Sequence, residues 1–281
     1  MFGRVGLALL AAVVIVATGM PVIGPATVRA APPSYYLALG DSLARGLSAS
    51  AGHGYVDDVF AVQQAVMPDL QLVNLSCSGE TTVTMMNGGT CTYATGSQLG
   101  DAEAFLASHP GQVAFVTIDI GGNDIAPCFF TIPIDLACVK SALPPAAANL
   151  GTILTGLHTA GGSVPIVALT YYDPFVAYWL QGGAGETAAR DSVKLVKFAN
   201  RGLKKVYKKQ RARVANGLKA FAGTKWSLTG SYGGQTVPIN VAQVCALTLM
   251  CSMNDIHAND AGHAVLAGVM EREIAKALAK R

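Results

Sequence analysis

Charge is scarce in this chain: only 13% of its 281 residues are Asp, Glu, Lys or Arg, and the formal net charge is +3. A net charge so near neutrality is too small to imply a nucleic-acid partner. No Cys-x-x-Cys pair occurs, which removes the zinc-ribbon and thioredoxin-type readings of the six cysteines. No Gly-x-Ser-x-Gly elbow occurs either, which argues against a serine enzyme of the α/β-hydrolase type. The chain has no repeat, linker or low-complexity stretch. Beyond residue 30 no segment is long and apolar enough to span a bilayer.

What is present begins with an address. Arg4 supplies a positive start, Leu7 to Ala17 is an uninterrupted apolar run, and Val28-Arg29-Ala30 offers the small residues read by a signal peptidase. The run is shorter than the roughly 20 residues of a spanning helix, so export with cleavage near residue 30 is expected rather than an uncleaved anchor. Residues 31–281 then suit one large α/β domain. The cysteines agree with export: all six follow the leader and their number is even. They fall into three close pairs, and neighbours meet at the lowest loop-closure cost, which predicts Cys77–Cys91, Cys128–Cys138 and Cys245–Cys251. Each bridge pins a loop and stabilises the fold by about 2–3 kcal/mol.

Continuous apolar runs bounded by turn residues predict buried strands at Tyr35 to Leu39, Leu70 to Leu75, Val113 to Ile120, Val164 to Tyr171 and, more weakly, Ala212 to Asn216. Helical patterns lie between and after them, at Asp57 to Val66, Ser97 to Ser108, Leu136 to Thr159, Glu186 to Gln210 and Asp260 to Ala279. Alternation of this kind implies right-handed crossovers and a mainly parallel five-stranded sheet in a three-layer αβα sandwich. Ligands bind such sheets beyond the carboxyl ends of the strands. The residues that follow the first three strands are therefore the first place to look for chemistry.

Gly40-Asp41-Ser42-Leu43 puts a serine where the first strand breaks into a small-residue turn. The serine is expected to open a helix, with its hydroxyl exposed and its N–H backed by the positive end of the helix dipole. Gly79, in Ser78-Gly79-Glu80-Thr81-Thr82, lacks a side chain, so its amide can approach a substrate closely. Asn123, in Gly121-Gly122-Asn123-Asp124, can aim a side-chain N–H at the same oxygen. Ser42, Gly79 and Asn123 together make an oxyanion hole, and His257, in Asp255-Ile256-His257, is the base that takes the serine proton. Asp41 is read as holding the nucleophile turn and Asp124 as a turn or helix-cap residue.

These four segments, with Ala258-Asn259-Asp260-Ala261-Gly262-His263 continuing the last, resemble in order the four blocks of the SGNH (GDSL) hydrolases. The paired cysteines and Tyr171-Tyr172-Asp173-Pro174-Phe175 look most like the secreted three-disulfide esterases and lipases of actinobacteria. The resemblance implies a flavodoxin-like αβα fold, ester hydrolysis without cofactor or metal, and Ser42, Gly79, Asn123 and His257 in the roles just argued. The family pattern places Asp three residues before the His, where this chain has Asn254. Asp255 is favoured as the partner of His257, with Asn254 or a main-chain oxygen as alternatives. Asp260 and His263 repeat the Asp-x-x-His spacing; Asp260 is expected to cap the last helix and His263 to pack in its first turn. A metal site built from Asp255, His257, Asp260 and His263 is the lesser reading.

The reading that follows is a secreted serine hydrolase, monomeric, whose partner is a small-molecule or lipid ester and not a nucleic acid. The alternatives are a polysaccharide O-deacetylase, a phospholipase or thioesterase on the same site, or a cell-surface binding module without turnover. Two segments remain outside that reading. Arg190, Lys194, Lys197, Arg201, Lys204, Lys208 and Arg211 form a cationic helix face opposite Val193, Val196, Leu203 and Val206. That face is expected to be solvated, or to draw the protein weakly to anionic lipid or an acidic wall polymer. The Gly-rich stretch from Thr229 to Val244 is a candidate cover for the pocket.

Overall fold

The apolar runs become strands of a central sheet in the computed structural model, which describes residues 1–3 and 34–279. The expected leader, including Arg4, Leu7 to Ala17 and Val28 to Ala30, lies outside the described residues. In chain order the elements are β1 (Ser34–Gly40), α1 (Tyr55–Val66), β2 (Leu70–Asn74), α2 (Thr82–Asn87), α3 (Gln98–Ser108), β3 (Val113–Asp119), α4 (Gly122–Ile125) and α5 (Leu136–Gly161). They continue with β4 (Ile166–Thr170), a 3₁₀ helix (Pro174–Gln181), α6 (Gly183–Lys209), β5 (Arg213–Asn216) and α7 (Gly217–Ala220). The last are β6 (Thr229–Tyr232), β7 (Gln235–Pro238), α8 (Ile239–Leu247), α9 (Met250–Met253) and α10 (Asp260–Leu278).

The five-stranded sheet has the order β2-β1-β3-β4-β5 and every pairing in it is parallel. Its inner strands β1, β3 and β4 are buried on both faces because helices cover both. Tyr36 and Ala38 pack into the layer that contains Val56 and Val59 of α1 and Leu266 and Met270 of α10. Leu37 and Leu39, pointing the other way, pack with Leu106 of α3, Leu150 and Leu154 of α5 and Leu203 of α6. The chain turns from β1 outward to β2 and then back across to β3, so a crevice opens beyond the carboxyl ends of β1 and β3. Ser42 and Asn123 follow those two strands.

The structure pairs the cysteines as neighbours: Cys77–Cys91, Cys128–Cys138 and Cys245–Cys251, with Cα separations of 6.2, 5.5 and 5.1 Å. The first ties the turn after β2 to the segment before α3, the second fastens the start of α5, and the third joins α8 to α9. The Thr229–Val244 stretch is not a cover. Gly233 and Gly234 both have positive φ, at 58° and 78°, and make a two-residue turn between antiparallel β6 and β7. The hairpin lies against α8, with Ile239 N–H donating to Leu228 O at 2.8 Å. Among the described residues, none from 229–244 lines the cavity beside Ser42.

Candidate active site

Ser42 stands in a run of turns over residues 41–48 and not at a helix start. Gly46 and Ser48 adopt left-handed conformations, φ 74° and 68°, which a right-handed helix cannot pass through, and α1 begins only at Tyr55. The expected helix dipole behind the serine is therefore absent. The turn is held instead by hydrogen bonds: Arg45 N–H donates to Asp41 O at 3.0 Å and Leu47 N–H to Ser42 O at 2.9 Å. Leu43 N–H donates to the Asp41 carboxylate at 2.9 Å.

His257 reaches the serine from the loop between α9 and α10. That loop is pinned by the Thr248–Ala258 bridge, by Leu249 N–H to His257 O at 3.0 Å and by the Tyr172 hydroxyl to Ile256 O at 2.8 Å. With the loop so fixed, His257 Nε2 lies 2.9 Å from Ser42 Oγ and Nδ1 lies 2.5 Å from Asp255 Oδ1. Asp255 Oδ1 also accepts the His257 backbone N–H at 3.0 Å, and Oδ2 accepts the Ser48 hydroxyl at 2.9 Å. Partial burial works to raise the Asp255 pKa, but these hydrogen bonds outweigh it and hold the carboxyl below its ordinary range. Asn254, the alternative, takes the left-handed conformation at φ 53° that ends α9, a backbone role suited to Asn. Ser48 carries no sequence signal; only the folded loop brings it to Asp255.

Of the three donors expected for an oxyanion, Ser42 and Asn123 line one cavity. Ser42 N–H and Gly79 N–H have no hydrogen-bond partner among the described residues. Gly79 sits at φ 84°, a left-handed conformation that favours glycine, in a turn tied to the serine strand by Cys77 N–H to Gly40 O at 3.1 Å. Asn123 Nδ2 donates one hydrogen to Glu80 O at 2.9 Å, which orients the amide and leaves its second hydrogen free. Ser42, Asn123 and His257 share one cavity, and Gly79 is not among the residues that line it.

Other polar residues singled out in the sequence have structural partners. Asp124 accepts from Thr82 N–H at 2.9 Å and from the Thr82 hydroxyl at 2.5 Å, which fastens α4 to the first turn of α2. Asp260 does not cap α10: the Asn259 side chain does, accepting Gly262 N–H at 3.0 Å, while Asp260 receives the Ser50 N–H and hydroxyl at 2.7 Å each. His263 is fully buried, and its Nδ1 accepts Tyr55 N–H at 3.1 Å. Asp255 and His257 thus face each other, whereas Asp260 and His263 are each engaged by other residues. Among the described residues no cluster of three or more such side chains could hold a metal ion.

The cavity encloses about 90 Å³ and its wall is apolar: Leu43, Ile125, Phe129, Tyr172, Phe175 and Val196 contribute to it. Phe129 stacks on Phe175 with ring centroids 5.0 Å apart, giving one stiff side. α6 serves two purposes, since Val196 and Ala199 on its inner side line the cavity while its outer side carries the cations. Two of those are engaged. The Arg190 guanidinium lies between the Trp179 and Trp226 rings, 4.9 and 4.7 Å from their centroids, and Lys194 pairs with Asp191 at 2.8 Å.

Similarity to known proteins is concentrated in fold. The chain resembles the crystal structure of a lipase from a goat rumen metagenome at 17% identity and a TM-score of 0.57, covering 85% of this chain and 97% of that one. It resembles an acetylxylan esterase from Geobacillus stearothermophilus at 21% identity and a TM-score of 0.54, covering 86% and 94%. A phospholipase A1 from Streptomyces albidoflavus NA297 is similar at 18% identity and a TM-score of 0.54, covering 86% and 100%. No curated protein matches the chain in sequence. The model of the GDSL-like lipase/acylhydrolase family matches residues 38–265, from β1 into α10 and across all four motif segments. On the extent of that match, the chain belongs to the GDSL-like lipase/acylhydrolase family.

Proposed function

We propose that this protein is a secreted serine esterase that hydrolyses esters of short acyl chains through an acyl-enzyme on Ser42. The observation that carries the reading is the continuous line Ser42 Oγ, His257 Nε2, His257 Nδ1, Asp255 Oδ1, at 2.9 and 2.5 Å across the two contacts. His257 takes the hydroxyl proton as Oγ attacks the ester carbonyl carbon, and Asp255 stabilises the imidazolium that forms. Ser42 N–H, Gly79 N–H and the free Asn123 amide hydrogen receive the oxyanion, a set in which one lost donor typically costs about 10²–10³ in rate. Collapse expels the alcohol with the proton from His257. Water then attacks the acyl-enzyme with His257 as base, releasing the acid and restoring the serine. The three disulfides support an extracellular setting, and among the described residues no helix is long and apolar enough to cross a membrane.

Cavity size argues for the short chain. An apolar cavity of about 150 Å³ holds a benzene-sized ligand. The space here, about 90 Å³ and lined by Phe129, Phe175 and Val196, takes fewer carbons before a chain must leave through its open mouth. Turnover of p-nitrophenyl esters from acetyl to palmitoyl is therefore expected to be best at the short end, with kcat/KM at least about tenfold lower for palmitoyl. Val196→Ala, which removes two methyl groups from the wall, is expected to move the optimum toward longer chains. An optimum at palmitoyl, unmoved by Val196→Ala, would leave the short-chain assignment without support.

The outer face of α6 adds a proposal about location. Lys204, Lys208 and Arg211 line a groove with Arg213 at the beginnings of β4 and β5, the sheet edge opposite Ser42. Its one acid, Glu273, is engaged by Arg213 and Lys276 at 2.8 and 2.7 Å. The remaining cations are free to hold an anionic surface, weakly and in competition with salt. Vesicles containing phosphatidylserine are expected to retain the protein at low ionic strength and release it near 1 M salt, where the Debye length falls to about 3 Å. Retention by neutral vesicles, or retention indifferent to salt, would remove the electrostatic account.

A further inference from the structure

Beneath the nucleophile lie two buried carboxyl groups that the proposed mechanism does not use. Asp41 is 3% exposed and Asp119, the last residue of β3, is fully buried. Asp41 accepts the Leu43 N–H at 2.9 Å and the Tyr171 hydroxyl at 2.7 Å. Asp119 Oδ1 accepts the Tyr55 hydroxyl at 2.5 Å, while its buried Oδ2 has no hydrogen-bond partner among the described residues. The main chain sets the two residues side by side: Asp41 N–H donates to Asp119 O at 3.2 Å. Gly40 makes the approach possible: its φ is 143°, and a Cβ there would lie 2.5 Å from Asp119 O and 2.7 Å from Asp119 Oδ1.

Two carboxylates side by side in a dry site repel each other, and neither has an ion-pair partner among the described residues. The ionisable groups around them are Tyr36 of β1, Tyr55 of α1, Tyr171 and Tyr172 after β4, Tyr207 of α6 and His257. The tyrosines bring no positive charge and His257 is already paired with Asp255, so a proton shared within the pair is the available neutraliser. Asp41 has the donors that suit an anion, and Asp119 has the orphan oxygen that suits an O–H. Burial raises both pKa values, and the Asp41 charge lifts Asp119 further.

We propose that Asp41 and Asp119 form a one-proton carboxyl pair in which the Asp119 O–H donates to the Asp41 carboxylate and thereby positions the Ser42 turn. With Asp41 held, the Leu43 N–H stays engaged and the Ser42 N–H stays open for the oxyanion. Asp119 is then a positioning residue, and its role rests on the reading of Ser42 as nucleophile.

The test compares full-length wild-type protein with Asp119→Asn and Asp119→Leu. An Asn amide places an N–H where the shared proton stands, so Asp119→Asn is expected to keep kcat within about threefold, whereas Asp119→Leu lowers kcat at least about tenfold with little change in KM. The pH dependence adds a second readout. A carboxyl whose folded pKa lies above its unfolded value of about 3.9 contributes stability that is full below that value and is lost as pH rises through the folded pKa. Wild type is therefore expected to lose thermal stability toward alkaline pH more steeply than Asp119→Asn. Equal damage in both variants, or identical alkaline unfolding profiles in wild type and Asp119→Asn, would overturn the pair. Should Asp119→Leu not fold, the unfolding comparison between wild type and Asp119→Asn decides. Fluorophosphonate labelling of wild-type Ser42 separates the two readings: its absence would reject the nucleophile, while the unfolding profiles still report on the pair.

Discussion

Replacing Ser42 by Ala is expected to lower kcat for p-nitrophenyl ester hydrolysis by about 10⁴–10⁶-fold, the scale seen when the nucleophile of a serine triad is removed. Among the described residues the Ser42 hydroxyl hydrogen-bonds only to His257 Nε2 and does not hold the surrounding turn. The turn is held by backbone bonds from Arg45 and Leu47 and by Asp41, none of which uses Oγ. The variant should therefore unfold at the wild-type temperature and still bind substrate in the apolar cavity. Loss of turnover with unchanged stability is the signature of a missing nucleophile. Turnover within tenfold of wild type would mean that another group attacks the ester.

Asp255→Asn is expected to lower kcat by about 10²–10⁴-fold, because an amide next to Nδ1 no longer stabilises the imidazolium and can select the wrong tautomer. Ser48→Ala should cost far less. It removes one of the donors to Asp255 but leaves both contacts of Oδ1 with His257 in place. Stability should move little in Asp255→Asn. The Asp255 side chain is one-third exposed, so solvent screens its interaction with His257. The sign of the remaining effect is fixed by its lowered pKa: the contribution is present above the unfolded value of about 3.9 and is lost as pH falls through the lower folded value. A large fall in kcat with a nearly unchanged melting temperature at pH 7 is the expected pair of results. Near-full activity would leave His257 oriented by some other group.

Periodicity located the inner strands because β1, β3 and β4 are apolar runs buried on both faces, and such a run needs no knowledge of its neighbours. The same holds for the long helices. The short elements were less legible. α2, α4, α9 and the β6–β7 hairpin contain few apolar residues in any repeating pattern, and Tyr232-Gly233-Gly234-Gln235 reads as a hairpin only once its polar flanks are known to pair. Ser42 was wrongly placed at a helix start because the small polar residues after it fit a cap as well as they fit a series of turns. The left-handed Ser48 that breaks the helix is not a residue type that announces such a conformation. Asp260 was placed as the cap of α10 in the same way; Asn259, one residue earlier, has the same chemistry and the correct geometry.

The sequence by itself determined the alternation of strand and helix, the pairing of neighbouring cysteines and the presence of a serine, a glycine, an asparagine and a histidine at the ends of elements. Those are local properties, set by residue type and short spacing. Which oxygen faces His257, what lies beneath Ser42 and how large the cavity is were decided only by tertiary structure. Ser48 and Asp255 are separated by 207 positions in the chain, and Tyr171 and Asp41 by 130. No spacing rule reaches across such distances; the sheet order β2-β1-β3-β4-β5 does, because it sets the ends of β1, β3 and β4 beside one another and leaves the side chains beyond them no other place to meet.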